Sequence, residues 1–151
     1  MTTVEIIDAT PEHIEPLAAL MDGADRGVKL ARGLEPSRVL RKAFGESCYC
    51  RVALVDGEIA GMWGLGGTLL ASESHVWLTL TPKARARGAS LIVSTARDEL
   101  RKMFQTRDRL FTTVAAEDRR AVRWLQFWGF DLGEPNAEGL RYGWLNNPWK
   151  V

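Results

Sequence analysis

The chain has 151 residues, 46% hydrophobic and 26% charged, with a formal net charge of +1. That balance describes one ordinary globular domain over residues 1–151, with room for a real core. The near-neutral charge disfavours a nucleic-acid-coating role, and no apolar run approaches the ~20 residues that span a bilayer.

Met1-Thr2-Thr3-Val4-Glu5 lacks the basic and apolar regions of a signal peptide, so a cytoplasmic location is expected. Two Cys and two His give little material for a zinc site, and metal-independent chemistry is expected. Cys48 and Cys50 stand two apart in a strand-like run and should point the same way, without the geometry for an easy disulfide.

In chain order, Val4 to Ala9 reads as a strand. Thr10-Pro11 then supplies an N-cap and a proline at the first helical position. Ile14, Leu17, Ala18 and Met21 recur at helical spacing and should bury one face. Gly23 to Gly33 reads as a loop or frayed helix, and Glu35-Pro36-Ser37 restarts a helix to about Phe44. Tyr49 to Val55 and Glu58 to Gly64 flank Asp56-Gly57, a hairpin signal. A further strand covers about His75 to Leu80. From Gly88 to Phe104 a helix turns Ile92, Ala96, Leu100 and Met103 to one face. Leu110 to Ala115 is a strand, Asp118 to Phe127 a short helix, and Leu140 to Leu145 a last strand. This order fits an α+β, three-layer arrangement with helices on both faces of a sheet.

Two stretches carry chemistry. Between a strand and a helix lies Arg85-Ala86-Arg87-Gly88-Ala89-Ser90, where free backbone N–H groups and the positive helix end suit a phosphate. From Lys83 to Arg109 there are eight Lys/Arg against three acids, a local excess that suits a polyphosphate. The loop resembles the pyrophosphate-binding loop of the GNAT acyltransferases, Arg/Gln-x-x-Gly-x-Gly/Ala, with Ser90 where glycine or alanine is usual. Further on, Asp118 to Phe130 resembles the family's second signature, Asn-x-x-Ala-x-x-hydrophobic-Tyr-x-x-x-Gly-Phe. Asp118 stands for the Asn and Leu125 for the Tyr.

The resemblance implies a GNAT-like mixed, mostly antiparallel sheet whose fourth and fifth strands splay to receive the pantetheine arm of acetyl-CoA. It implies cofactor contacts at Leu80, Arg85, Ala86, Arg87, Gly88, Ala89, Ser90 and Asp118. A general base is implied at the start of the fourth strand, where Glu73 and His75 stand. The thiolate's usual acid is absent at Leu125, and Tyr142 is a substitute by guess alone. The implied partners are an acyl-CoA and an amine or protein acceptor.

Gly33-Leu34-Glu35-Pro36-Ser37, Ser74-His75-Val76-Trp77 and Arg123 to Phe130 narrow the likeness to GNAT-like proteins of tailed bacteriophages, including the small internal virion protein of short-tailed phages. That implies an alternative: a degenerate phage protein that has lost acetyl-CoA and acts as a virion component or host-protein binder. Six tryptophans should mostly enter the core, with Trp149 read as an anchor for a partner or a homodimer.

Overall fold

A computed structural model describes residues 3–21, 35–86 and 90–149, with side chains left aside at 90–93. Seven strands form one sheet in the order β1-β2-β3-β4-β5-β7-β6. They are β1 (Val4–Asp8), β2 (Ser47–Val55), β3 (Glu58–Gly66), β4 (Glu73–Leu80), β5 (Arg109–Ala115), β6 (Asp131–Leu132) and β7 (Leu140–Asn146). Every neighbouring pair is antiparallel except β4 and β5. The helices are α1 (Ile14–Leu20), α2 (Pro36–Gly45), α3 (Pro82–Ala86), α4 (Ser90–Met103) and α5 (Arg119–Phe127). The expected mixed, mostly antiparallel sheet with flanking helices is the fold observed.

Local chemistry explains most boundaries. Asp56 and Gly57 take φ of 51° and 81°, the left-handed pair that a two-residue hairpin requires. Asp118 caps α5 by accepting the Ala121 N–H at 3.3 Å. The helix ends with Gly129 at φ 100° and Phe130 N–H donating back to Leu125 C=O at 2.9 Å, a glycine-terminated C-cap. Two elements were not expected. β6 is only two residues long. The other, α3, is started by Thr81, whose Oγ1 accepts the Ala84 N–H at 3.2 Å ahead of Pro82. The segment 22–34, and with it the Gly23–Gly33 reading, lies outside the described residues.

Each sheet face carries its own core. On one face Ile14, Leu17 and Leu40 of α1 and α2 pack on Val52, Ile59 and Met62. On the other, Leu100, Met103 and Phe104 pack on Ala53, Trp63, Leu65, Leu80 and Leu110, and Phe130 joins them. The helical face expected from Leu100 and Met103 is therefore the buried one. Trp149 packs within the chain against this second core: its ring lies 5.8 Å from Phe104, with the Arg97 and Arg101 guanidinium groups 5.9 and 5.2 Å from its centroid.

A register shift between Ser47 and Tyr49 corrects one expectation. The extra residue turns Cys48 to the α4 side, while Cys50 joins the α1–α2 core, so the two thiols occupy opposite faces. Burial pushes the Cys50 thiol up to about 12, which leaves it an inert core group.

Two buried polar knots tie the layers. Glu99 of α4 accepts from Tyr49 Oη (2.9 Å), Trp63 Nε1 (3.1 Å) and Arg51 Nε (3.2 Å) on the same oxygen, and Lys102 lies 3.2 Å from the other. Burial works to raise the Glu99 pKa, but the bonds from Tyr49, Lys102 and Trp63 and the Arg51 charge outweigh it and hold the carboxyl below its usual range. Tyr49 is pushed well above its ordinary value by burial and by that same bond. Arg107, 2% exposed, donates to Ser74 Oγ at 2.7 Å, to Leu69 C=O at 3.3 Å and to Cys48 Sγ at 3.3 Å. It also donates to the Thr68 carbonyl. These knots take up Lys102 and Arg107 of the basic excess in this region.

Glu99→Gln should cost about 2–3 kcal/mol at pH 7, read by urea unfolding, because Arg51 and Lys102 lose a buried counter-charge. The sign of the pH effect follows from the depressed folded-state pKa. Wild-type stability from this group is present above the unfolded carboxyl pKa and lost as pH falls through the lower folded value, and the Gln variant lacks that acid-dependent loss.

Candidate functional site

The site begins where β4 and β5 part. Their parallel ladder has three pairs, Glu73 with Arg109, Ser74 with Leu110 and His75 with Phe111, and then ends. Beyond it, β4 stays paired with β3 to Leu80 and β5 stays paired with β7 to Ala115. A V-shaped gap opens between them, with a cavity of about 1310 Å³. Ligand pockets commonly measure about 300–1,000 Å³, so there is room for an extended arm and a second molecule.

The two edges facing this gap can be read from hydrogen-bond phase. Thr81 N–H donates to Ala60 C=O at 2.9 Å, and residues in an antiparallel pair alternate which edge they address. Thr81, Thr79 and Trp77 therefore address β3, while Leu78 and Leu80 present N–H and C=O to the gap. Ala116 N–H donates to Gly139 C=O at 2.9 Å, and by the same alternation Thr113 presents its N–H and C=O, and Ala115 its N–H, from the other side, while the Ala115 C=O accepts the Asp118 N–H at 3.0 Å. Two rows of backbone donors and acceptors thus face each other without a ladder between them.

The walls differ by face. Toward α4 and α5 the cavity is lined by Leu100, Met103, Trp124, Leu125 and Trp128. The Trp128 Nε1–H is buried there with no hydrogen-bond partner among the described residues. Leu125 supplies only hydrocarbon to this wall. At the mouth, Arg85 Nη2 lies 2.8 Å from Asp118 Oδ2, and Asp118 is 7% exposed. Arg120 donates to the Arg85 carbonyl, which fixes the end of α3 against the start of α5.

Of the expected phosphate-loop residues, Arg85 and Ala86 belong to α3 and not to an open turn. Ser90 opens α4, and Arg87, Gly88 and Ala89 lie outside the described residues. Leu80 sits at the gap with its side chain in the core.

Toward α1 and α2, Glu73 and His75 do share one face and line the cavity. Glu73 is exposed, 4.0 Å from Arg109. The His75 ring lies 5.7 Å from that of Phe111. Although its surface is open on one side, crowding in the concave site desolvates the imidazole and lowers its pKa below 6.5. Tyr142, opposite Thr113 in the register, adds a phenol to this same face. On this face Trp77 is held by donating to Ser47 Oγ at 2.8 Å, which in turn donates to Ala43 C=O at 2.6 Å. Gly64 makes this placement feasible, since a Cβ there would stand 2.6 Å from the Trp77 Nε1.

Sequence reasoning missed the Arg85–Asp118 pair, the Phe111–Tyr142 floor and the Glu99 knot. Only the last had a visible signal: Glu99 falls between Ala96 and Met103 on the apolar stripe of its helix. Among the described residues, no group of three or more His, Cys, Asp or Glu could hold a metal ion. No described helix is long and apolar enough to cross a membrane.

A splayed parallel pair inside an otherwise antiparallel sheet is the architecture of the GNAT fold, and solved structures agree. The acetyltransferase of GNAT family from Streptococcus pneumoniae superposes with a TM-score of 0.62 at 17% identity, covering 96% of this chain and 100% of that one. The GNAT domain of S. lividans PAT gives 0.71 at 13% identity, covering 95% and 90%. Ard1 from Thermoplasma volcanium gives 0.68 at 15%, covering 95% and 97%. No family model and no curated protein sequence matches the chain. At these identities the likeness establishes the fold.

An NMR titration of the imidazole resonances should place His75 below 6.5, and Phe111→Ala, which opens the ring to water, should move it upward. Because the folded-state value is lowered, His75 contributes stability that is present above pH 6.5 and lost as pH falls through that lower value.

Proposed function

We propose that the chain is a GNAT-type N-acyltransferase that takes an acetyl or related acyl group from acyl-CoA and delivers it to an amine. The observation that carries this reading is the gap between the two unpaired strand edges. An amide-bearing pantetheine arm is the kind of ligand that satisfies backbone donors and acceptors on both sides at once. The N–H and C=O of Leu78, Leu80 and Thr113 and the N–H of Ala115 fit it, and the buried Trp128 N–H adds a donor with no acceptor among the described residues.

Bound there, acetyl-CoA supplies a thioester carbonyl open to attack by an amine. Leu80 and its neighbours on β4 orient that carbonyl through backbone N–H groups. Arg85, Ser90 and Asp118 would form the end of the site that meets the nucleotide. Glu73 and His75 are the candidate bases. An amine nucleophile is protonated at neutral pH, and His75, kept neutral by its lowered pKa, can accept that proton. Leu125 offers no proton to the departing thiolate. Tyr142 is the phenol lining the same cavity, and it is assigned that role here by proximity to the gap.

The phage-type alternative, a catalytically degenerate binder of host or virion proteins, draws on Leu125 and on the Arg85–Asp118 pair. Calorimetric titration separates the readings: the acyltransferase reading expects acetyl-CoA binding below millimolar, and absence of heat from a folded protein overturns it. A Gly88→Arg variant should abolish both binding and biological activity, whereas persistent activity supports the degenerate protein. His75→Gln should lower kcat by about 10²–10⁴ while leaving the acetyl-CoA Kd in place.

A further inference from the structure

Asp118 is well situated to act on the donor molecule in a way that its helix-capping role does not explain. Its Oδ1 accepts the Ala121 N–H at 3.3 Å, which completes the cap, while its Oδ2 lies 2.8 Å from Arg85 Nη2. Both residues line the cavity. Arg85 is the cation that the loop pattern offers to a pyrophosphate, and here it already has an anion. The pair is partly shielded, with Arg85 and Asp118 side chains 27% and 7% exposed, so the two charges see each other with little screening. Lys83, the other cation of α3, is engaged by Glu58 at 3.2 Å across an exposed surface.

We infer that Asp118 is a specificity residue, an internal competitor that cancels Arg85 and shifts recognition of the donor from its anionic nucleotide end to its pantetheine thioester arm. This rests on the acyl-CoA reading above and deepens it. Phosphate binding at Arg85 is an exchange. A ligand phosphate reaching Arg85 must displace a carboxylate of similar charge, and it leaves that carboxylate buried, unpaired and close to its own oxygens. The net gain from the arginine is therefore small. Among the described residues the strand edges at Leu78, Leu80 and Thr113 have no charged competitor, and a pantetheine arm keeps its backbone contacts there. The donor class is thus a pantetheine thioester, with the nucleotide contributing less than the loop sequence promises.

The test is a binding cycle, read by calorimetry with CoA and with pantetheine, which lacks the pyrophosphate. Asp118→Asn preserves a good cap and should tighten CoA about tenfold, the scale of one charge-assisted hydrogen bond recovered. Pantetheine should change less than about threefold on the same scale. Arg85→Gln should weaken CoA, because Asp118 is left without its partner, and the double variant should return CoA to about the wild-type value. Melting temperatures of all four proteins check that each is folded. The inference is overturned if Asp118→Asn leaves CoA unchanged or weakens it. Equal tightening of CoA and pantetheine overturns it too, since that outcome reports a change in gap width and not in charge. Binding of neither ligand by any of the four folded proteins removes the acyl-CoA reading itself and this inference with it. Binding of both ligands with no difference between the variants removes this inference alone.

Discussion

The β4–β5 ladder has only three pairs, and the form of the molecule follows from its stopping there. A ladder that continued would close the sheet and leave no gap, no facing rows of backbone groups and no cavity. Two opposite ties keep the strands in this divergent geometry. At the closed end Arg107 gathers Ser74, Cys48 and the carbonyls of the β3–β4 loop around one guanidinium. Across the open end, Arg85 follows β4 and Asp118 follows β5, so their ion pair spans the mouth. The rest of the sheet is conventional, and its antiparallel neighbours on either side hold each strand of the V in place.

This arrangement also separates tasks by face. The α4–α5 side offers an apolar, tryptophan-bearing wall and a mouth of balanced charge, the side to which the proposed function assigns the donor arm. The α1–α2 side offers a floor of His75, Phe111 and Tyr142 with Glu73 beside it, the side to which it assigns proton transfer. Groups from both faces meet at the gap, which is why a residue such as Leu80 serves the core with its side chain and the candidate site with its backbone.

The sequence allowed the elements to be read well because their signals are local. Thr10-Pro11, Asp56-Gly57, Asp118 and Gly129-Phe130 each act within a few residues, and each stands where its chemistry put it. One failure is local, the short helix α3 that Thr81 and Pro82 start; the others are non-local. Cys48 and Cys50 diverge because one extra residue in β2 shifts its register against β3, a fact about pairing and not about spacing. Arg85 and Asp118 are 33 positions apart, and nothing near either announces the other. Glu99 was partly legible, since an acid on an apolar stripe needs an explanation, but its partners on β2 and β3 were not.

The V also has mechanical character. Its arms run free of each other for about five residues, or ~17 Å of strand. A change of ~4° in the angle between them moves the far ends by about 1 Å, the scale that separates a good hydrogen bond from a lost one. The fulcrum is the packing around Arg107, where a serine hydroxyl, a thiol and loop carbonyls meet. A substitution as small as one methyl group at Ser74 or Cys48, remote from the mouth, is therefore geared up by the strands into a displacement at the open end of the gap.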